Sequence, residues 1–219
     1  MRAFKFRSLE NLDRVLGMIR SGDVWCAKWQ DLNDPMEGLY FYDSGDDRLR
    51  ERQVTRAIRT GKQRRFVCAL SARWDKTALW AYYADDFRGV ALEYDLQGLM
   101  ERNQVIVDMV QYRSANQAFD IFQSEDAQAL ADQILLTKID DWRHEEEIRI
   151  LSSRPERLRI PGGVRSLTLG HRMPHDVKEL MAIYCARRDV ACYEMKIGPA
   201  GLEREEVDNG LFQRSFRRP

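Results

Sequence analysis

The sequence predicts an α+β fold, a single domain in which a mixed or split β-sheet is flanked by helices. Short apolar runs of strand length, such as 66–70 and 89–94, alternate with segments whose apolar residues recur at helical spacing. Strands and helices do not follow each other at regular intervals, so the pattern does not favour a series of parallel βαβ units. With 219 residues, 44% of them hydrophobic, the chain can bury a core without a disulfide or a structural metal. We assign residues 1–197 to this domain and 198–219 to a polar tail that ends in basic residues.

The first half of the domain is predicted from local patterns. Residues 3–6 alternate as a strand, and Ser8 is expected to cap a helix that Gly22 ends. The apolar residues of that helix, among them Leu12, Val15 and Ile19, recur at helical spacing. A strand at 24–28 leads into a turn at 31–35, and a charged helix is predicted at 46–60. The run 66–70 is a strand, 74–84 a helix and 89–94 a strand.

The second half is predicted in the same way. A strand at 105–112 precedes the longest predicted helix, 115–138, whose apolar face includes Phe122, Leu130 and Ile134. Residues 146–151 alternate as a strand, 166–170 form another strand, 175–187 a helix and 191–197 the final strand. No internal repeat and no low-complexity tract interrupts this order.

Composition narrows the classes of function. Lysine plus arginine and aspartate plus glutamate both number 35, so the formal net charge is zero and any site for a polyanion must be local. There is no apolar run long enough to span a membrane and no secretory start, which predicts a cytoplasmic protein without a membrane partner. Four cysteines lack zinc-site spacing and are predicted to be reduced and buried: Cys26, Cys68, Cys185 and Cys192.

The strongest chemical signal is the string from Trp142 to Arg149. On a strand, Glu145, Glu147 and Arg149 would point to one face. Two crowded carboxylates can do acid/base work or stabilise a developing cation, because their pKa values separate while negative charge remains. The alternative is a solvated acidic strand edge that Arg149 neutralises.

Four further features suggest a ligand site. Asn33 begins the polar string 33–37 beside a strand end, and Arg7 with Ser8 lies where the first strand meets a helix, a natural anion site. Ser71 follows a strand, where a cap or turn role is equally consistent. Trp80, Tyr82 and Tyr83 lie on one helix and either belong to the core or stack on an adenine or nicotinamide ring.

Together these motifs resemble a bacterial family named domain of unknown function 2971. The family's members carry an aromatic-Lys-aromatic start, N-D-P-x-E, a strand ending in serine, W-x-x-Y-A, a Gly-rich strand entry, and K-x-x-x-W-x-x-E-x-E-x-R. Here these motifs are Phe4-Lys5-Phe6, Asn33 to Glu37, Leu70-Ser71, Trp80 to Ala84, Gly89, and Lys138 with Trp142, Glu145, Glu147 and Arg149. The family's name implies no activity.

A looser resemblance is to ADP-ribosyltransferases, whose pattern is Arg, Ser-x-Ser and Glu-x-Glu. It implies their fold, with NAD as the substrate. Arg7 would hold a phosphate of NAD, Ser71 would support the nicotinamide ribose pocket, Glu147 would be the catalytic carboxylate, and Glu145 would orient or deprotonate the acceptor. Breaking the bond to nicotinamide builds positive charge on the ribose, which a carboxylate stabilises. The further candidates for binding NAD are Tyr83, Trp80, Asn33, Lys138 and Arg149.

The sequence departs from that pattern after Ser71, because Arg73 stands where the second serine is expected. Lys5 or Lys138 could also take the role of Arg7. The function implied is a toxin or anti-phage defence effector that modifies a protein or nucleic acid, with an antitoxin or another partner protein. Two alternatives stay open. One is a module that binds a nucleotide or partner without turnover; the other is a magnesium-dependent nuclease using Asp34, Glu37, Glu145 and Glu147.

Overall fold

The computed structural model describes residues 1–43, 47–101, 105–114, 118–122, 126–154 and 156–207. Within these residues the strands are β1 (Arg2–Arg7), β2 (Asp23–Lys28), β3 (Phe66–Ser71), β4 (Val90–Asp95), β5 (Val105–Met109), β6 (Gln111–Arg113), β7 (Thr137–Ile139), β8 (Glu147–Ser152), β9 (Glu156–Arg159), β10 (Val164–Leu169), β11 (Ala191–Gly198) and β12 (Gly201–Glu206). The α-helices are α1 (Leu12–Ser21), α2 (Arg48–Gln63), α3 (Thr77–Tyr83), α4 (Gln97–Met100), α5 (Ala127–Leu135) and α6 (His175–Ala186). Short 3₁₀ helices cover Trp29–Asp31 and Asp140–Glu145.

The chain divides into two compact units. Unit 1 comprises Met1–Val24, Leu70–Leu99 and the described chain from Arg159 onward. Unit 2 comprises Trp25–Ala69 and Met100–Leu158. The divisions fall inside β2, β3, α4 and β9, so each of these elements contributes residues to both units.

Unit 1 contains a mixed sheet in the strand order β12-β11-β10-β4-β1. β10 and β11 are parallel because α6 connects them, whereas β1 with β4, β4 with β10, and β11 with β12 are antiparallel. β1 also pairs with the end of β3, where Phe4 lies opposite Ser71. A mixed sheet with helices is the α+β architecture that the sequence predicts, and that prediction is confirmed.

The core of unit 1 is built around Trp80 on α3. Its side chain is fully buried, and its indole ring meets the ring of Phe6 edge-on at a centroid distance of 5.2 Å. The ring of Phe87 stacks on it at 6.4 Å, and Nε1 donates a hydrogen bond to the carbonyl of Trp74 at 2.6 Å. Both the apolar ring and its polar atom are therefore satisfied within the protein.

Unit 2 combines strands with a pair of packed helices. β8 pairs with β3 and β5, and β2 is antiparallel to β3. α2 packs on α5, and a Cβ placed at Gly61 would lie 2.7 Å from the Cβ of Ala131, so this close approach needs a glycine. The buried apolar cluster that includes this contact comprises Ile58, Phe119, Ile121, Leu130, Ala131 and Ile134.

Several local predictions are confirmed. α1 ends at Gly22, which has the left-handed φ of 69° that favours glycine. All four cysteines are free and buried. None of the helices in the described ranges has both the length and the apolar composition that crossing a membrane requires.

The predicted long helix at 115–138 is wrong. Residues 115–117 and 123–125 lie outside the described residues, and the helical part covers only Ala127–Leu135. Phe119 forms a β-bridge with Tyr42, and Thr137–Ile139 pairs in parallel with β6. These contacts join segments far apart in the sequence, and such pairings override helical periodicity. Among the described helices α2 is the longest, with 16 residues.

Smaller corrections concern element ends. Ser8 does not cap α1, because its Oγ accepts from the amide of Glu10 at 3.1 Å and the helix begins only at Leu12. The predicted strand 105–112 is interrupted at Val110, and the predicted helix 74–84 spans only Thr77–Tyr83. The predicted tail contains strand β12, while its basic end lies outside the described residues, as does Asp46, the first residue of the predicted helix 46–60.

Candidate functional site

Five charged side chains meet in unit 2 and form what we call the charge cluster: Glu37, Lys138, Glu145, Glu147 and Arg149. None of them is more than 7% exposed. Burial of an ion costs several kcal/mol, on the order of the stability of a domain, unless other groups pair with it and satisfy its hydrogen bonds. The contacts within the cluster therefore decide its chemistry.

Arg149 lies at the centre of the cluster. Its Nη1 and Nη2 donate to Oε1 and Oε2 of Glu37 at 2.5 and 2.6 Å, and its Nε donates to Oε1 of Glu147 at 2.6 Å. Nη1 also donates to the carbonyl of Leu135 at 2.5 Å. The planar guanidinium thus binds two carboxylates in fixed directions, which a lysine ammonium group could not do.

Lys138 provides the second cation. Its Nζ donates to Oε2 of Glu145 at 2.6 Å and to Oε2 of Glu147 at 3.2 Å. The same ammonium group lies 4.5 Å from the centroid of the Trp142 ring, within range for a cation–π interaction. Both carboxylate oxygens of Glu147 are consequently bound by cations.

The backbone brings Glu145 to the cluster in an unexpected way. Glu145 ends the 3₁₀ helix, Glu146 has a left-handed φ of 43°, and the strand begins only at Glu147. The prediction that Glu145 and Glu147 alternate along one strand is therefore wrong, although both carboxylates still reach Lys138. The interpretation as a solvated acidic strand edge is also wrong, because these side chains are buried.

Tyr112 supports the cluster through the backbone. Its hydroxyl accepts a hydrogen bond from the amide of Glu147 at 2.9 Å. Burial raises the pKa of Tyr112 to about 12, and the nearby carboxylates of Glu147 and Glu145 act in the same direction. The hydroxyl is therefore neutral at physiological pH and can hold the first residue of β8.

Charge pairing keeps Glu147 ionised. Burial alone would raise the pKa of Glu147, but the charges and hydrogen bonds of Arg149 and Lys138 outweigh burial and hold that pKa below its ordinary value. Burial would lower the pKa of Arg149, yet Glu147 and Glu37 raise it above its ordinary value. Glu147 and Arg149 thus form a buried pair of full charges.

Glu37 behaves in the opposite way. Burial raises the pKa of Glu37 and exceeds the lowering effect of Arg149, while the charge of Glu147 adds to the increase. The cluster holds three carboxyl groups and two cations, so one carboxylate is in excess. Glu37 is the carboxyl at which the effect of burial outweighs that of the neighbouring cations.

A pocket shares Glu37 and Lys138 with the charge cluster. Its cavity volume is about 40 Å³, and its lining includes Asp34, Tyr40, Phe41, Arg113, Phe119 and Thr137. A complete dinucleotide needs a cavity of roughly 300 Å³ or more. The enclosed part of this pocket can therefore hold only one end of such a ligand.

Arg113 is the distinctive cation of the pocket. Its guanidinium lies 4.5 Å from the centroid of the Phe119 ring, and its side chain is half-buried. Within the described part of the chain, no carboxylate forms a salt bridge with Arg113. Lys138 differs, because two glutamates already bind it.

Lys62 binds the segment that carries Asp34 and Glu37. The buried Nζ of Lys62 donates to the carbonyl of Gly38 at 2.7 Å and lies 4.4 Å from the Trp29 ring and 5.1 Å from the Tyr40 ring. Burial lowers the pKa of Lys62, and the nearby charge of Arg59 adds to this effect. Lys62 thus fixes one wall of the pocket.

Among the residues predicted from sequence, Lys138, Glu145, Glu147 and Arg149 come together as described. Asn33 is also in unit 2, where it is exposed in the bend after the first 3₁₀ helix and does not line the pocket.

The other predicted residues belong to unit 1. Arg7 ends β1, and Ser71 ends β3 as a buried residue whose Oγ accepts from the amide of Arg73 at 3.1 Å. Trp80 is fully buried, and the half-buried Tyr83 packs against the same core. For these two aromatics the geometry favours the core interpretation over a stacking platform.

The nuclease alternative finds no support in the geometry. Across the described ranges, no group of three or more His, Cys, Asp or Glu side chains is placed to hold a metal ion. Glu37, Glu145 and Glu147 are bound by Arg149 or Lys138 instead.

Sequence reasoning missed three residues: Arg113, Tyr112 and Lys62. Lys62 had a detectable signal, since it falls on the apolar side of a helix whose other basic residues are exposed. Tyr112 and Arg113 lie in a strand of three residues whose partner, β7, was predicted as helix. Their roles depend on that pairing, and no local pattern reveals it.

A comparison with protein-family models gives a match to part of the chain. A family model described as "Protein of unknown function (DUF2971)" matches residues 79–150, which include Lys138, Glu145, Glu147 and Arg149. No curated protein and no solved structure matches the chain. These comparisons support the resemblance to the family of unknown function and do not support the one to ADP-ribosyltransferases. The matched segment begins in α3 of unit 1 and ends in β8 of unit 2.

Proposed function

We propose that this protein is a binding module that recognises a small aromatic anion, by class a mononucleotide, in the pocket beside the charge cluster and does not turn it over. One observation carries the proposal. Arg113 lines the pocket, stacked on Phe119, and no carboxylate of the described chain neutralises it. A half-buried guanidinium of this kind suits a phosphate group, to which it can donate two parallel hydrogen bonds.

Asp34 gives the pocket a second polar contact. Its Oδ1 accepts from the amide of Met36 at 2.8 Å, and no cation in the described residues forms a salt bridge with it. The carboxylate can accept further N–H donors. An exocyclic amino group of a nucleobase is such a donor, and it would distinguish a nucleotide from a simple phosphate.

Aromatic and apolar residues provide a surface for the body of the ligand. Leu39 and Phe41 line the pocket and are 55% and 54% exposed, and Tyr40 lies between them. Exposed aromatic rings offer stacking that contributes about 1–3 kcal/mol per base. Since the enclosed volume is small, one end of the nucleotide enters the cavity while its base lies on this rim.

The charge cluster argues against turnover, because the carboxylate of Glu147 already has its partners within the protein. A carboxylate that stabilises a developing ribose cation must contact the ribose, whereas both oxygens of Glu147 are occupied by Arg149 and Lys138. The cluster acts instead as the rigid support of the pocket, to which it contributes Glu37 and Lys138.

Calorimetric titration of the purified protein with AMP, GMP, CMP and UMP tests this proposal. We expect at least one nucleotide to bind, and Arg113→Gln to weaken it by about tenfold or more, the loss of a charge-assisted pair. Arg188→Gln is the matched control, because Arg188 is also stacked on an aromatic ring, that of Tyr184 at 5.3 Å. Failure of all four to bind at millimolar concentration, or equal binding by Arg113→Gln, contradicts the proposal.

An NAD-cleaving ADP-ribosyltransferase is the second candidate, with NAD as the substrate and a protein or nucleic acid as the acceptor. One observation favours it, namely that Glu147 is held in the ionised form that a stabilising carboxylate requires. Nicotinamide release from NAD, with and without cell extract, is compared between the wild type and Glu147→Gln. If the wild type releases nicotinamide and the variant does not, this candidate is established. If neither protein releases nicotinamide, this candidate is excluded.

A further inference from the structure

Basic residues are concentrated in and after α2. Between Arg48 and Arg65 the sequence holds seven arginines and one lysine but a single acidic residue, Glu51, although the formal net charge of the whole chain is zero. A local surplus of this size produces a positive potential that the net charge conceals.

Four of these arginines form a row on one face of α2, which we call the arginine row: Arg48, Arg52, Arg56 and Arg59. Their spacings of four, four and three residues place them along one side of a helix. All four are exposed, and none forms a salt bridge with a described carboxylate. Arg65 differs, because its guanidinium binds Asp132 at 2.8 and 2.6 Å.

The opposite face of α2 is fixed within unit 2. Ile58 is fully buried in the cluster shared with α5, and Gly61 is in close contact with Ala131. The helix cannot rotate without breaking this packing. The arginine row is therefore held toward solvent in a set direction.

A groove continues this face toward α5. It has a volume of about 390 Å³, and its lining includes Arg56, Thr60 and Arg64 from the α2 side and Gln128 from α5. The lining residues that the structure describes include no acidic side chain. Arg56 belongs to both the row and the groove, so the two form one continuous basic surface.

We propose that this surface, the arginine row with its adjoining groove, binds the sugar–phosphate backbone of a nucleic acid. Successive arginines in the row are about 6, 6 and 4.5 Å apart along the helix axis, and the row spans about 16 Å. A regular line of cations without acidic interruption matches a regular line of phosphates, which proteins bind through arginine and lysine. The site is separate from the nucleotide pocket and does not depend on its proposed function.

Other partners fit this surface less well. A helix that lies on a membrane exposes an apolar face, whereas the apolar face of α2 is buried and Leu49 is its one large apolar residue that is strongly exposed among those described. A protein interface centres on desolvated apolar or aromatic residues, which the arginine row lacks. The contacts expected here are to phosphates, so binding depends on salt and only weakly on base sequence.

Fluorescence anisotropy with a labelled 20-nucleotide RNA, the DNA of the same sequence and a DNA duplex tests the proposal over a range of salt concentrations. For single strands, four phosphate contacts predict a slope of log K against log salt of about −3. The variant Arg52→Gln, Arg56→Gln, Arg59→Gln should reduce the slope to about −1 and weaken binding about tenfold or more at low salt.

The matched control is Arg14→Gln, Arg20→Gln, Arg187→Gln, which removes the same charge from exposed positions of unit 1. It should bind almost as well as the wild type, and circular dichroism should show both variants folded. The proposal is overturned if the wild type binds none of the three nucleic acids, or if the control loses as much affinity as the α2 variant. Binding to phosphatidylserine vesicles without binding to any of the nucleic acids also overturns it.

Discussion

Arg149 binds the carboxylate of Glu37 through two parallel hydrogen bonds, Nη1 to Oε1 at 2.5 Å and Nη2 to Oε2 at 2.6 Å. The two residues are 112 positions apart in the sequence and both are almost completely buried. This contact attaches the segment that carries Asp34 and Glu37 to β8. The pocket wall and the strand therefore depend on one ion pair.

Removing Arg149 should destabilise the protein severely. Arg149→Met leaves Glu37 and Glu147 buried without their main cation, and breaking a buried pair in this way costs about 3–5 kcal/mol. Urea denaturation measures the free energy of unfolding. Arg143→Gln is the control, because Arg143 pairs with Asp140 at a side-chain exposure of 64% and should change stability by no more than about 0.5 kcal/mol.

Arg149→Lys separates charge from geometry. The lysine keeps the positive charge but cannot donate two parallel hydrogen bonds to Glu37 while it also contacts Glu147. We expect a stability between those of the wild type and Arg149→Met. A lysine variant as stable as the wild type would show that charge alone suffices.

Tyr112→Phe should remove a backbone contact of the cluster. The amide of Glu147 loses its acceptor, and leaving a buried donor without a partner costs about 1–3 kcal/mol. Tyr82→Phe, at an exposed position, is the control and should leave the free energy of unfolding almost unchanged. Equal effects of the two substitutions would exclude a special role for the Tyr112 hydroxyl.

Two glycines should respond in opposite directions to alanine. A Cβ at Gly89 would lie 2.2 Å from the carbonyl oxygen of Arg7, so Gly89→Ala forces β1 and β4 apart and should cost about 1–3 kcal/mol. A Cβ at Gly17 in α1 meets nothing within 4 Å, so Gly17→Ala should stabilise the helix by about 0.5–1 kcal/mol. Thermal unfolding of both variants checks the sign of each effect.

Apolar spacing and turn residues in the sequence predict the helices and strands that carry a clear local pattern, such as α1 and β4. α1 follows from its apolar spacing and ends at Gly22, and β4 follows from a short apolar run that is buried. The segment 115–138 could not be predicted in this way. Its Phe119 pairs with Tyr42, and its last residues join β6, so contacts distant in sequence decide its structure.

The part of the candidate site that lies within one short segment was predictable from the sequence, and the part that depends on a distant segment was not. The string from Trp142 to Arg149 indicates that Glu145, Glu147 and Arg149 meet, and they do. The bidentate partner of Arg149, Glu37, lies 112 residues away, and local spacing does not reveal it. Burial of the cluster depends on the same distant contact, which explains why an exposed acidic edge was a reasonable alternative.

The two glutamates that Arg149 binds should respond to acid in opposite directions. The folded state holds the pKa of Glu147 below 4.5, so its contribution to stability is complete above that value and is lost as the pH falls through the folded pKa. The pKa of Glu37 is raised above 4.5, so the folded state binds its proton more tightly and gains stability as the pH falls toward 4.5.

Comparison of each glutamine variant with the wild type isolates these contributions. We expect the difference in unfolding free energy between the wild type and Glu147→Gln to shrink below pH 4.5, because the wild type then loses the ionised carboxylate. The difference between the wild type and Glu37→Gln should instead shift in favour of the wild type as the pH falls toward 4.5 from above. Urea denaturation at several pH values measures both, and each variant serves as the control for the other. Parallel trends would contradict the opposite pKa shifts of Glu147 and Glu37.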